Sequence, residues 1–272
     1  MSERPLVKYS APPVIETILG VQFDPVPGLT SAHLGAFWQT LGSDWPWVTD
    51  APTLPPQLER FSNESPWAQF GVQLMLGASA GVRLQITNAV KDRMIQLQNG
   101  QFFFNWLGSA GSPYPQYLEV RRGFEQRLVA FREFLIEKGL GPIKLNQWEV
   151  VYQNQIPRGG LWKAPSEWNF CTLLGDPALP ADLDGLESFS GEWHFALPAT
   201  KGRLHIRWQH LREGQSDAGE MVILNLIARG AVANDDELIA GLDLGRAAIV
   251  HSFTKFMSDQ ANAAWGIQDV NG

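Results

Sequence analysis

The sequence predicts an α+β fold of two consecutive β-α-β-β-β-α units, an internal duplication whose antiparallel sheet is covered on one face by long helices. Three observations predict it. Strand-like segments come in runs separated by single amphipathic stretches, the pattern of segregated rather than alternating elements. The order of elements in residues 1–140 recurs in residues 141–272. Short segments also echo across the halves: GVRLQI at 81–86 against GRLHIR at 202–207, and MIQLQN at 94–99 against MVILNL at 221–226. Strands joined by short turns pair antiparallel, and such sheets carry helices on one side.

In the first unit, Val14 to Phe23 alternates imperfectly and is rich in β-branched residues, so it reads as a half-buried strand. After Pro25, Pro27 and Gly28, the apolar residues Leu34, Phe37, Trp38 and Leu41 fall at helical spacing, with Thr30 or Ser31 as N-cap. Trp45 to Pro66 holds five prolines and no period, and reads as irregular loop pinned to the core by Trp45 and Trp47. Strands are expected at Ala68 to Leu76, Val82 to Asn88 and Arg93 to Asn99, punctuated by Gly77, Gly81 and the Asn99-Gly100 pair, with Phe102 to Trp106 as an optional continuation of the last. From Tyr114 to Lys138 apolar residues recur every three or four positions, which predicts a long helix ended by Gly139 and Pro142.

The second unit opens with a strand from Leu145 to Ile156, a short helical stretch near Ser166 to Leu174 and an irregular region to Ser190. Strands follow at Glu192 to Leu197, Arg203 to His210 and Met221 to Ala228. A long helix is expected from about Asp235 to Ala263, with Leu238, Leu242, Ile249, Phe253 and Phe256 on one face.

At 272 residues and 44% apolar composition the chain buries a core without disulfides or metal. A net charge of -7 disfavours nucleic acid, since phosphate neutralisation needs a basic face. The opening residues carry no apolar signal region and no run reaches membrane-spanning length, so a cytoplasmic location without membrane partners is expected. A single cysteine, Cys171, agrees with a reducing compartment.

The motifs with chemical potential are few. Gly77-Ala78-Ser79-Ala80-Gly81 fits the nucleophile elbow, but the alternating VRLQI after it is a strand, so the glycines read as a hairpin connection and no catalytic residue is assigned. Cys171 lies beside Phe170 as a small buried apolar residue. The five histidines lack the helical spacing or cysteine partners of a zinc site, so no metal is expected. No Gly-rich phosphate loop follows a predicted strand, so no cofactor is expected either.

APPVIETILGVQFDP, HLGAFW, DWPWVTDAP and the terminal AAWG together resemble a sporadically distributed bacterial family of uncharacterised proteins of similar length. The likeness spans most of the chain and implies no activity, substrate or functional residue. Where that family would have an Arg-Tyr-Ile-Asn-like strand, this chain has Val151-Tyr152-Gln153-Asn154.

The most informative pattern is alternation. Leu204, Ile206 and Trp208 point one way and Arg203, His205, Arg207 and Gln209 the other, while Val82, Leu84 and Ile86 oppose Arg83, Gln85 and Thr87. Arg83, Arg203, His205 and Arg207 are therefore the expected binding residues on a polar sheet face. The expected function is a non-enzymatic binding or regulatory module for another protein or a small acidic ligand, because the arginine fork suits carboxylate and phosphate. The alternative is an enzyme of unrecognised type using His194 or His205 on the same face.

Overall fold

In the computed structural model, residues 6–59, 81–108, 113–173, 185–212 and 219–268 are described. The expected strand at 68–76 and Ser79 of the elbow-like motif lie outside them. The chain is α+β, with nine strands in one wholly antiparallel sheet.

The strands are β2 (Val14–Phe23), β3 (Trp47–Pro52), β4 (Val82–Thr87), β5 (Arg93–Gln98), β6 (Gln101–Leu107), β7 (Leu145–Pro157), β8 (Ser190–Ala196), β9 (Arg203–Arg212) and β10 (Glu220–Ala231). Their order is β3-β4-β5-β6-β2-β7-β10-β9-β8, with β2 and β7 paired at the centre, Ile18 opposite Val151. A second, two-stranded sheet joins β1 (Lys8–Tyr9) to β11 (Ile267–Gln268). The helices are α1 (Ser31–Thr40), α2 (Tyr117–Glu137), α3 (Asp235–Phe256) and α4 (Asp259–Ala264). None is long and apolar enough to cross a membrane.

One face of the sheet is apolar by strict alternation. Leu19 and Val21 of β2 line up with Phe104 and Phe102 of β6 and with Val150 and Trp148 of β7, all buried. Helix α2 packs on β6 and β2, and α3 on β10, β7 and β9. Close approach is made possible by missing side chains: a Cβ at Gly123 would lie 2.7 Å from the Phe104 ring, and one at Gly245 2.6 Å from Trp148. Trp148 thereby fills the space between sheet and α3.

Five expectations are corrected. Residues 47–52 form strand β3 on the sheet edge, inside what reads as irregular loop, where an edge place tolerates Pro52 because its missing N–H costs no ladder bond. Trp47 is 52% exposed rather than an anchor, with the Lys91 ammonium 5.1 Å from its ring centre, whereas Trp45 is buried. The strand expected to run on from Asn99 is two strands, β5 and β6, turned at Asn99-Gly100, where Gly100 has φ 101°. The described part of 166–174 is turns, since its backbone bonds go to the end of α3: Thr172 N–H donates to the Phe256 carbonyl, and Cys171 bridges Met257. The terminal helix breaks at Met257, which is extended, and Ser258 caps α4 by accepting from Ala261 N–H.

Candidate functional site

On the opposite face of the sheet, register brings four glutamines into one row: Gln98 of β5, Gln101 of β6, Gln22 of β2 and Gln147 of β7. All are buried, although they face away from the apolar core. Their amides hold an extended segment, residues 54–59, that crosses the strands. Gln98 accepts from Leu54 N–H and donates to Leu54 C=O, both at 2.8 Å. Gln101 donates to the Pro55 carbonyl, Gln22 accepts from Gln57 N–H at 3.1 Å, and Gln147 accepts from Glu59 N–H at 2.7 Å while donating to Gln57 C=O. A side-chain amide carries the same donor and acceptor as a peptide, so the row replaces the partners that a neighbouring strand would give.

The segment delivers Glu59, whose side chain is 6% exposed, into a charged cluster. Glu59 meets Arg203 and accepts from His205 Nε2 at 2.5 Å, with Arg229 at 3.8 Å. Arg229 Nε donates to Glu149 at 2.7 Å, and Arg207 Nε to Glu192 at 2.7 Å. His205 Nδ1 lies 2.6 Å from Nδ1 of His194, directly across the β8–β9 ladder. Burial pulls the Glu59 carboxyl upward, but its bond to His205 and the adjoining positive charges outweigh this and leave it below the ordinary value. Burial dominates at Glu149 and raises it despite Arg229. His194 is held below the usual imidazole range, by burial first and then by His205 and the arginines beside it.

Of the residues singled out by alternation, Arg203, His205 and Arg207 sit side by side on β9, on the expected face. Arg83 lies six strand steps away, roughly 29 Å at the usual strand spacing, where it donates to the Pro52 carbonyl at 3.1 Å and to Gln96. Sequence reasoning missed Glu59, Glu149, Glu192 and Arg229. For Glu192 a signal existed, since Glu192 and His194 alternate onto one side of β8.

A cleft of about 110 Å³ opens on the other side, between α3, the start of α2 and the apolar face. Its walls include Tyr9, Tyr114, Tyr117 and Tyr152, the apolar Leu226, Ile249 and Phe253, and two cations, Lys8 and Arg246. The Tyr114 hydroxyl donates to that of Tyr152 at 3.0 Å, and the Tyr117 hydroxyl to Asp243 at 2.8 Å. Burial raises the phenols of Tyr114, Tyr117 and Tyr152, so all three remain protonated. Arg246 is half-buried, with its guanidinium carbon 4.6 Å from the centre of the Tyr117 ring, and no carboxylate among the described residues pairs with it.

No family model, curated protein or solved structure matches this chain. Its chemistry is therefore read from its own geometry. On the polar face Arg203, Arg207 and Arg229 are matched by carboxylates, and the cluster's donor atoms on Glu192, His194 and His205 lie within 4.8 Å of one another, the one set among the described residues that could hold a metal. The cleft is the reverse: apolar and aromatic walls, two cations, and no histidine, cysteine or carboxylate among its lining residues.

Proposed function

We propose that the protein is a non-enzymatic binding module for a small organic anion, a carboxylate on an apolar body, held in the tyrosine-lined cleft. One observation carries this reading: Arg246 stands in that cleft against the Tyr117 ring, and no carboxylate among the described residues forms an ion pair with it. A half-buried guanidinium without a counter-ion is costly, and a bound carboxylate supplies bidentate hydrogen bonds and charge together. Apolar walls with a few convergent polar groups are the usual make-up of a small-ligand site. The cleft lacks a nucleophile–base pair among its described lining residues, and its raised phenols donate rather than accept protons, which favours binding over catalysis.

The test is calorimetry and thermal unfolding with a panel of aliphatic and aromatic monocarboxylates. A true ligand at a hundred times its Kd stabilises by about 2.7 kcal/mol, a rise in Tm of roughly 5–10 °C, and Arg246→Gln removes the response. A panel without any response, or an equal response from the variant, overturns the assignment.

A second reading, partner recognition on the polar face through Arg83, Arg203, His205 and Arg207, is favoured by the glutamine row, whose hold on residues 54–59 is a way of gripping extended backbone. A partner there would compete with that segment and with Glu59 and Glu192. We also infer an internal duplication with helices on one face. Its support is the strand order, in which β2 is followed outward by β6, β5 and β4 as β7 is by β10, β9 and β8, and the seating of α2 on β2 and β6 as α3 on β7 and β10.

A further inference from the structure

We propose that Glu192, His194 and His205 form a site for a divalent zinc-type cation at the β8–β9 edge of the polar face, with Glu59 as the outer carboxylate that orients His205. This site is independent of the cleft. Period-two alternation puts Glu192 and His194 on one side of β8, and the register sets His194 directly opposite His205, where cross-strand side chains meet. The bond from His205 Nε2 to Glu59 at 2.5 Å fixes the tautomer. With the proton on Nε2, Nδ1 carries the lone pair, and it faces His194 and, at 3.8 Å, Glu192. A ligating histidine that gives its other ring nitrogen to a carboxylate is the common second-layer arrangement of metal centres.

The distances suit a site that tightens on loading. Tetrahedral zinc with bonds near 2.0–2.1 Å sets its ligand atoms about 3.3 Å apart. Glu192 Oε1 is 3.8 Å from both His205 Nδ1 and His194 Nε2, so rotation of exposed side chains closes the difference. The two Nδ1 atoms, at 2.6 Å, are too close to share one ion, and His194 ligates through Nε2. Its side chain is 51% exposed and that of Glu192 33%, which gives both freedom to turn and an entry path. Of the neighbouring arginines, Arg203 and Arg229 are matched by Glu59 and Glu149, which take no part as ligands, and only Arg207 shares Glu192 with the ion. Two imidazoles and a carboxylate are a donor set that zinc accepts while keeping a fourth position open.

The experiment uses tag-free protein stripped by chelator and titrated with Zn²⁺ in a calorimeter, with Co²⁺ absorption as a second probe of coordination. Wild type is expected to take one ion with a Kd of about 1 μM or tighter, and Co²⁺ to show the intense visible bands of a four-coordinate site. His194→Ala, at an exposed position, is expected to weaken Zn²⁺ at least 100-fold with unchanged circular dichroism, and Glu59→Gln by about 10–100-fold. Weaker or non-stoichiometric binding by wild type overturns the proposal, as does undiminished affinity in folded His194→Ala. Should that variant not fold, the wild-type Zn²⁺ stoichiometry and Co²⁺ spectrum decide alone.

Discussion

On the polar face Arg203, Arg207 and Arg229 each meet a carboxylate, whereas in the cleft on the other side Arg246 meets the Tyr117 ring and no carboxylate among the described residues. The contrast separates two uses of the same side chain. A matched arginine is part of the fold: its charge is offset, and removing it strands a partner. An unmatched one contributes little to folding and keeps its hydrogen-bonding fork for something that arrives. The β9 part of the binding face that alternation indicates is thus also one whose charges the chain satisfies itself, through Glu192 and through Glu59 on a segment with no period of its own.

The largest effect that could break this comparison is at Arg229. Arg229→Ala leaves Glu149, 8% exposed, without its cation, and is expected to cost about 3 kcal/mol in urea unfolding, the scale for removing one partner of a buried pair. A cost below about 1 kcal/mol would mean that Glu149 simply takes up a proton, and that the pair is not structural.

Next in size is the glutamine row. Gln147→Ala removes the acceptor for Glu59 N–H and the donor to Gln57 C=O, at about 1–2 kcal/mol. Hydrogen exchange should accelerate at the Gln57 and Glu59 amides first, because those two depend on side chains rather than on a strand. Unchanged exchange at both would show that the segment is held by other means.

Acid provides a finer comparison between two buried carboxylates. Glu220 has a fully buried side chain; burial alone would raise it, but bonds from Arg158 and His210 outweigh burial and set it below its ordinary 4.5. A carboxyl depressed in the folded state contributes stability above its unfolded value, and that stability is lost as pH falls through 4.5 toward the folded value. Glu149, raised by burial, has the opposite slope. Glu220→Gln should therefore flatten the loss of stability below pH 4.5, measured as urea midpoint against pH, and an unchanged acid limb would contradict the assignment.

These tests also mark what the sequence made legible. Strand β2 matches its expected bounds, and α2 and α3 lie within theirs, the burial of the two helices following a helical period. The side taken by Arg203, His205 and Arg207 follows from the same period. Period carries no information where tertiary bonds decide, so 166–174 reads as helical although the Thr172 amide and the Phe170 carbonyl bond to the end of α3. Pro52 and the absence of alternation hide β3. Glu59 was invisible for a related reason: it lies in a proline-rich stretch, and only the fold places it against strands more than 140 residues away in sequence. Arg246 gave no signal at all, since which side chains meet an arginine is a property of space.

The smallest expected effect is the most discriminating. Arg246→Gln should change stability by less than about 1 kcal/mol, because all that is lost is a cation–π contact with Tyr117, worth about 0.5–1 kcal/mol when partly exposed. The substitution removes the charge and shortens the side chain, but the position lines an open cleft, so it creates no sealed cavity. Set against about 3 kcal/mol for Arg229→Ala, a near-neutral result means that the fold does not need the Arg246 charge. A group the fold does not need, in an aromatic cleft that burial has partly dried, is available to a ligand. A cost of 2 kcal/mol or more would instead make Arg246 a structural cation anchoring α3 to Tyr117, and the cleft would lose the group on which anion binding depends.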